Sequence, residues 1–559
     1  MKILILGGYG TFGGRLAHLL ANDERLTLLI AGRSIQKAKN FCEGLPTGAQ
    51  KLPVFFDRNA NVETQIKEIN PNLVVDAMGP FQAYGNEPYR VVKACLANRV
   101  DYMDLADGSN FVKGISQFDS EAKTKNVYIL SGVSSFPVLT AAVVRKLSHD
   151  MTRVNSIKGG IAPSPYAGVG LNVIRAIASY SGKRIPLIRN GKPTTGYALT
   201  ETMRYTICPP GYLPLNHTLF SLVDVPDLKV LPELWHELDS VWLGAGPVPE
   251  ILHRMLIGLS WLVRFKILPS LLPFASLFHF VINILRWGDH RGGMFVSVEG
   301  ISQSGERIER SWHLLAEGGD GPFIPSMAIA AIILHVLAGK KPSAGARAAT
   351  QELEVADYEA IFKSRMIYTG QRESRADAKP APLYKRMLGE AWDALPAPLA
   401  AMHNLTAQEQ RAEGFARVER GKNLFARLIA TLFGFPNAGE NVPVKVTFQQ
   451  KDGGELWVRD FAGRKFSSFQ REGKGKYDKL ILEKFGPVTF AFALVLDQGK
   501  LRLIPRHWNF LGIPLPLSLA PGGETYEFAE DGFFCFHVEM KHKLTGLIVR
   551  YQGRLEVVD

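Results

Sequence analysis

The stretch KILILGGYGTFGG, residues 2–14, joins a short apolar run to a glycine-rich turn that leads into a helical pattern. A side chain at Gly8 would obstruct the tight turn, one at Gly10 would hold the backbone away from a pyrophosphate, and Gly13 lets the helix approach the strand. The first turn of such a helix offers free N–H groups to an anion. The pattern therefore predicts a dinucleotide-binding loop, the alternative being a glycine-rich turn without a ligand. The candidate contact residues are Gly8, Tyr9, Gly10, Thr11, Phe12 and Gly13.

Apolar runs and helical stretches alternate after this loop through residue 131. The runs are Leu26–Ala31, Lys51–Phe56, Asn72–Ala77, Val100–Leu105 and Val127–Ser131. Continuous apolar strands between amphipathic helices indicate a parallel sheet that is covered on both faces. The predicted fold class is α/β, with a doubly wound parallel sheet of the Rossmann type.

The kind of dinucleotide depends on the tip of the second strand, about 20 residues after the glycine motif. An NAD site has Asp or Glu there for the ribose hydroxyls, whereas this chain has Ala31-Gly32-Arg33-Ser34. A guanidinium and a hydroxyl can hold a 2′-phosphate instead. We therefore expect NADP(H) rather than NAD, with Arg33 and Ser34 as contacts. The alternative is that Arg33 is a solvated surface residue.

Two further stretches, with four candidate residues, lie at the expected carboxyl edge of the sheet, where ligands bind. Asp57 follows the third strand and either contacts the adenine or caps the next helix. Gly79, Pro80 and Phe81 follow the fourth strand and either line the cofactor crevice or form a plain turn. All four are cofactor-binding candidates.

The overall charge does not point to a nucleic-acid partner. The 559 residues carry 65 Lys and Arg against 53 Asp and Glu, a net charge of +12. Basic and acidic residues number 17 and 14 in 1–150, 24 and 19 in 151–379, and 24 and 20 in 380–559, so the excess is spread almost evenly. The cysteines lie far apart with no CxxC pair, which favours a reducing compartment without disulfides or a metal site. We expect a cytoplasmic protein.

Several motifs together resemble the saccharopine dehydrogenase-like NADP-binding family. Those before residue 140 are Gly8–Gly13, Ala31–Arg33, Asp76–Phe81, Tyr102–Leu105 and Gly132–Pro137. Two more are similar to motifs of its uncharacterised bacterial branch, namely Arg291–Met294 and Ala316–Pro322. The resemblance covers roughly residues 1–365. It implies a Rossmann domain over 1–131, an inserted α+β substrate domain over 132–322, and a return to the first domain over 323–367 through a helix at 324–337.

The same resemblance implies an NADP(H)-dependent oxidoreductase that reduces an imine or an activated double bond. The family includes saccharopine reductases, polyamine-forming dehydrogenases and enoyl reductases that act on long chains, so the substrate is a small or lipid-like molecule that the resemblance does not identify. The alternatives are a lipid-chain enoyl reductase at a membrane surface and a lipid- or nucleotide-binding protein without turnover.

Four polar residues are candidates for the chemistry. Tyr102, Asp104 and Asp107 lie at or just after the end of the fifth strand, where each can donate a proton or hold a substrate amine. Arg291 precedes a Gly-Gly turn, and its guanidinium can hold a carboxylate or phosphate. For each of them the alternative is a structural hydrogen bond.

Residues 251–286 form an apolar segment with 19 uncharged residues between Lys266 and Arg286, close to the ~20 that a spanning helix needs. Two prolines, Pro269 and Pro273, interrupt it. The alternatives are a spanning helix, a surface that docks on the inner face of a membrane or forms an acyl-chain tunnel, and a buried core of a homodimer or domain.

The last third of the chain has a different pattern. Residues 368–382 are polar without apolar periodicity, which predicts a linker. Residues 383–559 show helical patterns at 383–395 and 424–433, then runs that alternate with a period of two between glycines. These predict a separate β-rich α+β domain with an antiparallel curved sheet or half-barrel. The region resembles a bacterial domain of unknown function, with either a small-ligand or acyl-binding role or a dimerising role.

Overall fold

The computed structural model describes residues 1–247, 249–375 and 381–558. The chain divides into two compact units. The first comprises residues 1–204 and 219–368, and the second comprises residues 205–218, 369–373 and the chain from 381 onward.

The amino-terminal part of the first unit alternates strands and helices. Its strands are β1 (Lys2–Leu6), β2 (Thr27–Gly32), β3 (Gln50–Phe55), β4 (Leu73–Asp76), β5 (Asp101–Asp104) and β6 (Tyr128–Ser131). Its helices are α1 (Thr11–Leu20), α2 (Ile35–Glu43), α3 (Val62–Ile69), α4 (Arg90–Asn98), α5 (Ser109–Gly114), α6 (Asp119–Lys125) and α7 (Thr140–Ser148). The strands pair in parallel in the order β3-β2-β1-β4-β5-β6. This is the doubly wound arrangement, so the predicted fold class is confirmed.

Helices cover both faces of this sheet because its strands carry apolar side chains on both sides. In β1, Ile3 and Ile5 belong to one buried cluster, together with apolar residues of α1. Leu4 and Leu6 of the same strand belong to the opposite cluster. Successive side chains of a strand point to opposite faces, and burial on both faces explains the continuous apolar run in the sequence.

The segment that follows contains a second, mixed sheet. Its elements are β7 (Met151–Ala162), α8 (Leu171–Tyr180), β8 (Arg184–Arg189), β9 (Lys192–Tyr197), β10 (Thr202–Ile207), β11 (Leu215–Leu222), α9 (Asp227–Leu234), β12 (Ser240–Ala245), α10 (Glu250–Arg264), α11 (Ala275–Ile284), β13 (Gly292–Ser302) and β14 (Arg307–Ala316). The central order is β11-β12-β7-β13-β14. Strand β12 is parallel to β7, and β13 is antiparallel to β7 and β14. This is the α+β arrangement expected for the inserted region.

The chain then returns to the first sheet through α12 (Ile324–Leu337), β15 (Gly345–Ala348) and α13 (Val355–Phe362). It then goes back to the second sheet, where β16 (Ile367–Arg375) lies beside β14. Helix α12 packs against α1, and its Ser326 hydroxyl donates to the carbonyl of Phe12 at 3.0 Å. Its range is the one that the sequence predicts for the returning helix. The return also supplies β15, a parallel strand beside β6, which the sequence does not predict.

The apolar segment forms two short helices, α10 and α11, of 15 and 10 residues. None of the helices in the described ranges is long and apolar enough to cross a membrane, so the spanning-helix alternative is wrong. Burial in the core of this domain is also wrong for much of the segment, because many of its large side chains are exposed. They include Ile251, Met255, Phe265, Ile267, Leu277, Phe280 and Ile284.

The second unit is built mainly from antiparallel strands. Its elements are α14 (Leu383–Leu388), α15 (Ala397–His403), β17 (Glu409–Arg420), α16 (Leu424–Leu432), β18 (Gly439–Lys451), β19 (Gly454–Phe461), β20 (Arg464–Glu472), β21 (Ile481–Phe485), β22 (Val488–Asp497), β23 (Lys500–Phe510), β24 (Ile513–Leu515), β25 (Thr525–Glu530), β26 (Phe533–His542) and β27 (Gly546–Val558). The strand order is β22-β21-β20-β19-β18-β17-β27-β26-β25-β23, and β22 also pairs with β23. The sheet is therefore a closed barrel, with β24 attached to β23, rather than the open sheet or half-barrel expected.

The linker predicted over 368–382 is wrong for its first half. Residues up to Arg375 form β16, a strand of nine residues. Its polar residues remain at least partly exposed, which explains why the sequence shows no apolar periodicity there. The remainder of the predicted linker includes residues 376–380, which lie outside the described residues.

Candidate functional site at the edge of the parallel sheet

The glycine-rich loop joins β1 to α1 with the backbone in close approach. Helix α1 begins at Thr11, and Gly10 is its N-cap. A Cβ at Gly13 would lie 2.4 Å from the carbonyl oxygen of Gly7, and one at Gly8 would lie 2.8 Å from that of Ile5. Side chains are therefore excluded where the helix meets the strand. The loop and the N–H groups of the first helical turn form a cradle that is free of side chains, and its contact with a pyrophosphate stays a prediction.

Arg33 and Ser34 follow β2 and have different surroundings. The Tyr9 ring lies against Gly32, and its hydroxyl accepts from the Ser34 backbone N–H at 3.1 Å. The Ser34 hydroxyl accepts from the Lys37 N–H at 3.3 Å and caps α2, so it is engaged in holding the helix. Arg33 is exposed, and within the described ranges its guanidinium has no hydrogen bond or ion pair. Arg33 is therefore available to an anion.

Asp57 closes a local turn and does not cap the next helix. Its carboxylate accepts from the Asn59 N–H at 3.0 Å. The N-cap of α3 is Asn61, whose side chain accepts from the Thr64 N–H at 3.1 Å. The helix-cap alternative for Asp57 is therefore wrong, and its contact with an adenine stays a prediction.

The loop after β4 is tied to helix α8 of the inserted region. The Asn172 side chain donates to the carbonyls of Met78 and Gly79, at 3.1 and 3.0 Å. Gly79 and Pro80 are partly exposed at this edge, whereas Phe81 is buried against Phe111 with ring centroids 5.0 Å apart. The structure thus leaves Gly79 and Pro80 partly exposed and places Phe81 in a buried cluster, and contact of Gly79 and Pro80 with a cofactor stays a prediction.

Tyr102 and Asp104 are enclosed in the sheet. Tyr102 is fully buried, and burial raises the pKa of its hydroxyl well above its usual range. One oxygen of Asp104 accepts from the N–H groups of Ala106 and Gly132, at 2.9 and 2.7 Å, and from the Ser131 hydroxyl at 3.0 Å. Burial raises the pKa of Asp104 to about 7. These placements correct the catalytic assignment of both residues, because neither side chain is accessible to a ligand; Asp104 instead joins the loops after β5 and β6.

Arg291 is also held structurally. It is buried, and its Nε and Nη2 donate to the two carboxylate oxygens of Asp289, at 2.9 and 2.7 Å. A guanidinium in a bidentate pair with a neighbouring carboxylate is already neutralised. The structural alternative for Arg291 is therefore favoured over a substrate contact.

Asp107 lies instead in a cleft with groups that the sequence does not single out. It is exposed, and its carboxylate accepts from the Gln82 side chain at 3.1 Å. Neighbouring protein atoms partly desolvate the Asp107 carboxyl and raise its pKa, and the carboxylate of Asp224 adds to the rise. The hydroxyl of Tyr180, at the end of α8, has its pKa raised by burial and by the charges of Asp107 and Asp224. The inserted region thus brings a tyrosine and a second carboxyl group to Asp107.

The sequence gives little indication of this cluster. Tyr180 and Asp224 lie 73 and 117 residues after Asp107, and neither belongs to a spaced motif. Burial raises the pKa of Asp224, and the Ser109 hydroxyl and Lys229 offset part of that rise. The cluster forms because α8 and the loop after β11 lie against the carboxyl edge of the parallel sheet. Only that edge could be predicted from the alternation of strands and helices.

A doubly wound sheet with a glycine cradle at the start of its first helix defines a dinucleotide-binding α/β unit. Residues 3–130 match the family described as saccharopine dehydrogenase NADP binding domain. Residues 395–555 match a domain of unknown function, DUF4166. Both resemblances predicted from the sequence are thus confirmed for these regions, and the first match supports an oxidoreductase with a nicotinamide cofactor.

Solved structures are similar at low identity. Apo histidine-tagged saccharopine dehydrogenase (L-Glu forming) from Saccharomyces cerevisiae is 14% identical with a TM-score of 0.47, covering 67% of this chain and 99% of that one. A probable dehydrogenase from Thermotoga maritima is 11% identical with a TM-score of 0.32, covering 62% and 91%. Biliverdin reductase from Synechocystis sp. PCC 6803, in complex with biliverdin and NADP+, is 13% identical with a TM-score of 0.27, covering 61% and 92%. No protein with a curated description matches the chain.

Proposed function

We propose that the first unit is an NADP(H)-dependent oxidoreductase that reduces an imine or an activated double bond. The observation that carries this proposal is the glycine cradle at the start of α1 together with the exposed Arg33 at the start of α2. A 2′-phosphate is an anion, so a guanidinium next to the amino end of a helix stabilises it. A free ribose hydroxyl gains no comparable charge interaction, which favours NADP(H) over NAD(H).

The acidic cleft supports an amine-type substrate. Asp107 and Asp224 place two carboxyl groups at the edge of the sheet, and such a pair favours a cationic imine or amine over a carboxylate. The Tyr180 hydroxyl is protonated at neutral pH, so it can donate a hydrogen bond that orients a substrate nitrogen and assists its protonation after hydride transfer. A nicotinamide, when bound, supplies the hydride.

The cofactor assignment is tested by titrating the protein with NADPH and NADH and following nucleotide fluorescence. Arg33→Ala should weaken NADPH binding by about tenfold to hundredfold, because a hydrogen bond to a charged group contributes roughly 1.5–3 kcal/mol. NADH binding should change by less than about twofold. The matched control is Lys39→Ala, an exposed residue of the same helix. Equal losses for NADPH and NADH would contradict the assignment.

The substrate class is tested by NADPH oxidation with two panels, cyclic imines and α,β-unsaturated carbonyl compounds. We expect turnover with an imine, and we expect Tyr180→Phe to lower the turnover by about a hundredfold or more while NADPH binding is retained. Turnover confined to the unsaturated carbonyl compounds would contradict an imine substrate.

The exposed side chains of α10 and α11 favour a second candidate, a lipid-chain enoyl reductase that works at a membrane surface. Phe265, Phe280 and Ile284 are each at least 60% exposed, and Arg254, Lys266 and Arg286 flank them. The protein should then float with vesicles of anionic lipid, and Phe280→Ser should reduce flotation. If it does not float and instead dimerises in light scattering, this face is a contact between two copies and the membrane candidate is wrong.

A further inference from the structure

The barrel of the second unit contains a cavity of about 170 Å³. In an engineered protein, a cavity of about 150 Å³ lined by apolar side chains stays dry and binds benzene. The interior of a barrel widens as strands are added, and eight strands already give room for side chains or one small ligand. The barrel that closes between β22 and β23 has more than eight strands, so its side chains leave space at the centre.

Most of the cavity wall is apolar. Strand β18 contributes Val446 and Phe448, β23 contributes Leu503, and β27 contributes Ile548. Helix α16 adds Ile429 to this wall. Such a surface favours a hydrocarbon group over water, because each apolar contact that replaces water contributes to binding.

A connected polar group interrupts this wall on β19, β20 and β21. Arg459 donates to the Ser468 hydroxyl at 2.8 Å, and that hydroxyl donates to Glu483 at 2.6 Å. The Gln470 side chain donates to the same Glu483 oxygen at 3.0 Å and accepts from the Tyr384 hydroxyl at 3.0 Å. Arg459, Gln470, Glu483 and Tyr384 all border the cavity. An apolar space inside the barrel thus meets hydrogen-bonding groups that hold one another in place.

The charges of the wall restrict what can bind there. Among the described residues that line the cavity, Arg459 is the cationic one, and it lies 3.4 Å from Glu483. The other acidic lining residues are Glu527, bonded to His403 at 2.6 Å, and Glu539, bonded to Lys541 at 2.7 Å. A ligand carboxylate that is buried in this cavity would need a positively charged side chain of the protein as its partner. The lining supplies none beyond the one that Glu483 already neutralises.

We propose that the barrel binds an uncharged amphipathic molecule, with a hydrocarbon chain in the apolar part of the cavity and a hydroxyl or carbonyl group at Arg459, Gln470 and Glu483. A hydroxyl can donate to Glu483 and accept from Gln470 or Arg459, so both of its hydrogen-bonding functions are met. This site belongs to the second unit and is independent of the nucleotide site in the first.

The test uses the full chain and the small uncharged fluorophore 1-naphthol, displaced by 1-hexanol or by hexanoate at pH 7. We expect saturable fluorescence, and we expect the alcohol to displace the fluorophore at a concentration about tenfold lower than the carboxylate. Equal displacement by the two, or no saturable fluorescence, would overturn the proposal.

Two variants locate the site. Val446→Phe fills part of the cavity and should weaken fluorophore binding by about tenfold, whereas Thr447→Phe, on the opposite face of β18, should leave it within about twofold. Equal effects would place the fluorophore on an exposed apolar surface and overturn the proposal. Glu483→Gln frees Arg459 and keeps a hydrogen-bonding group, so hexanoate should gain about tenfold in affinity relative to 1-hexanol. An unchanged ratio would contradict the charge argument even if Val446→Phe does not fold.

Discussion

The two candidate ligand sites of this chain are built from different parts of the polypeptide. In the first unit the backbone makes the site, because glycines at the start of α1 remove side chains and leave N–H groups. In the second unit side chains from strands all around the barrel make the cavity, together with α16. A backbone site depends on a few positions that tolerate no Cβ. A side-chain site depends on many positions, few of which are restricted to one residue type.

The two sites are therefore sensitive to different kinds of substitution. The cavity wall contains polar groups that are kept out of water by the barrel, and each needs its partner. The loop of the first unit has few buried polar side chains, so its function is sensitive to shape more than to polar pairing. Four substitutions separate these properties.

The largest effect is expected for His403→Ala in the second unit. The His403 side chain is fully buried, donates to or accepts from Glu527 at 2.6 Å, and stacks on the Tyr384 ring at 3.8 Å. Removing the imidazole leaves the buried Glu527 carboxylate without this hydrogen-bond partner and removes the ring stack, which together cost about 3 kcal/mol of unfolding free energy. Hydrogen exchange followed by mass spectrometry should show lost protection in β17–β27 and unchanged protection in β1–β6.

The matched control is His537→Ala, which removes a partly exposed histidine of β26 that stacks on Tyr526. It should change protection little. If His403→Ala lowers protection equally in both units, the barrel is not an independent structure and the contrast between the two sites fails.

The nucleotide loop could be predicted from sequence because its requirement is local. Gly8, Gly10 and Gly13 stand at fixed spacing, and the structure shows that a Cβ at Gly8 or Gly13 would meet a carbonyl oxygen within 3 Å. The position of Tyr102 could not be predicted in the same way. A polar residue near the end of a strand can face the edge where ligands bind, or it can face the layer of helices that covers the sheet. The alternation of the sequence does not distinguish these two environments.

The acidic cleft and the barrel cavity could not be predicted, because both depend on distant pairings. Tyr180 and Asp224 reach Asp107 only through the packing of α8 and the loop after β11. Barrel closure depends on the pairing of β22 with β23, which period-two alternation leaves open. A curved open sheet and a closed barrel share the same alternation along each strand.

The second substitution, Gly13→Ala, should break the backbone site and leave the cavity intact. The new Cβ would lie 2.4 Å from the Gly7 carbonyl oxygen and 3.0 Å from the Gly8 Cα, so the loop must move. Because the loop then leaves the geometry that presents its N–H groups to the nucleotide, NADPH affinity should fall by about tenfold or more, which corresponds to about 1.4 kcal/mol of binding free energy. Titration by nucleotide fluorescence measures the loss.

Its control is Gly14→Ala, one residue further along α1. There the nearest atom to a new Cβ is Cζ of Phe41, at 3.1 Å, at the end of a side chain that can shift. NADPH affinity should fall by less than about threefold. If both variants lose affinity equally, helix packing rather than the cradle determines binding.

The third substitution, Asp104→Asn, tests the buried carboxyl group that joins the loops after β5 and β6. Burial raises the pKa of Asp104 to about 7, so between about pH 4 and pH 7 the folded protein holds a proton that the unfolded chain releases. The unfolding free energy therefore decreases as pH rises through this window. Asn at this position cannot titrate. In the variant the unfolding free energy should therefore decrease less steeply with pH than in the unsubstituted protein, by up to ~1.4 kcal/mol per pH unit.

Urea denaturation of the first unit at several pH values between 4 and 8 measures this slope. Asp119→Asn is the control, because the Lys123 hydrogen bond lowers the pKa of that exposed carboxyl and any change in slope has the opposite sign. An unchanged slope in Asp104→Asn would show that Asp104 is ionised throughout and that its hydrogen bonds outweigh its burial.

The smallest effect is expected on α16, where neighbouring residues lie on the two sides of the barrel wall. Ile429 borders the cavity, whereas the side chain of Leu428 is 65% exposed. Three other apolar residues of this helix are 70–80% exposed, namely Leu424, Phe425 and Leu432. Leu428→Ala should change the unfolding free energy by less than about 0.5 kcal/mol, and Ile429→Ala should cost about 1 kcal/mol or more. Urea denaturation at two protein concentrations compares them. A concentration-dependent loss in Leu428→Ala would mean that a second copy covers this face, and the exposed leucines would then belong to an interface and not to the outer surface of a ligand-binding barrel.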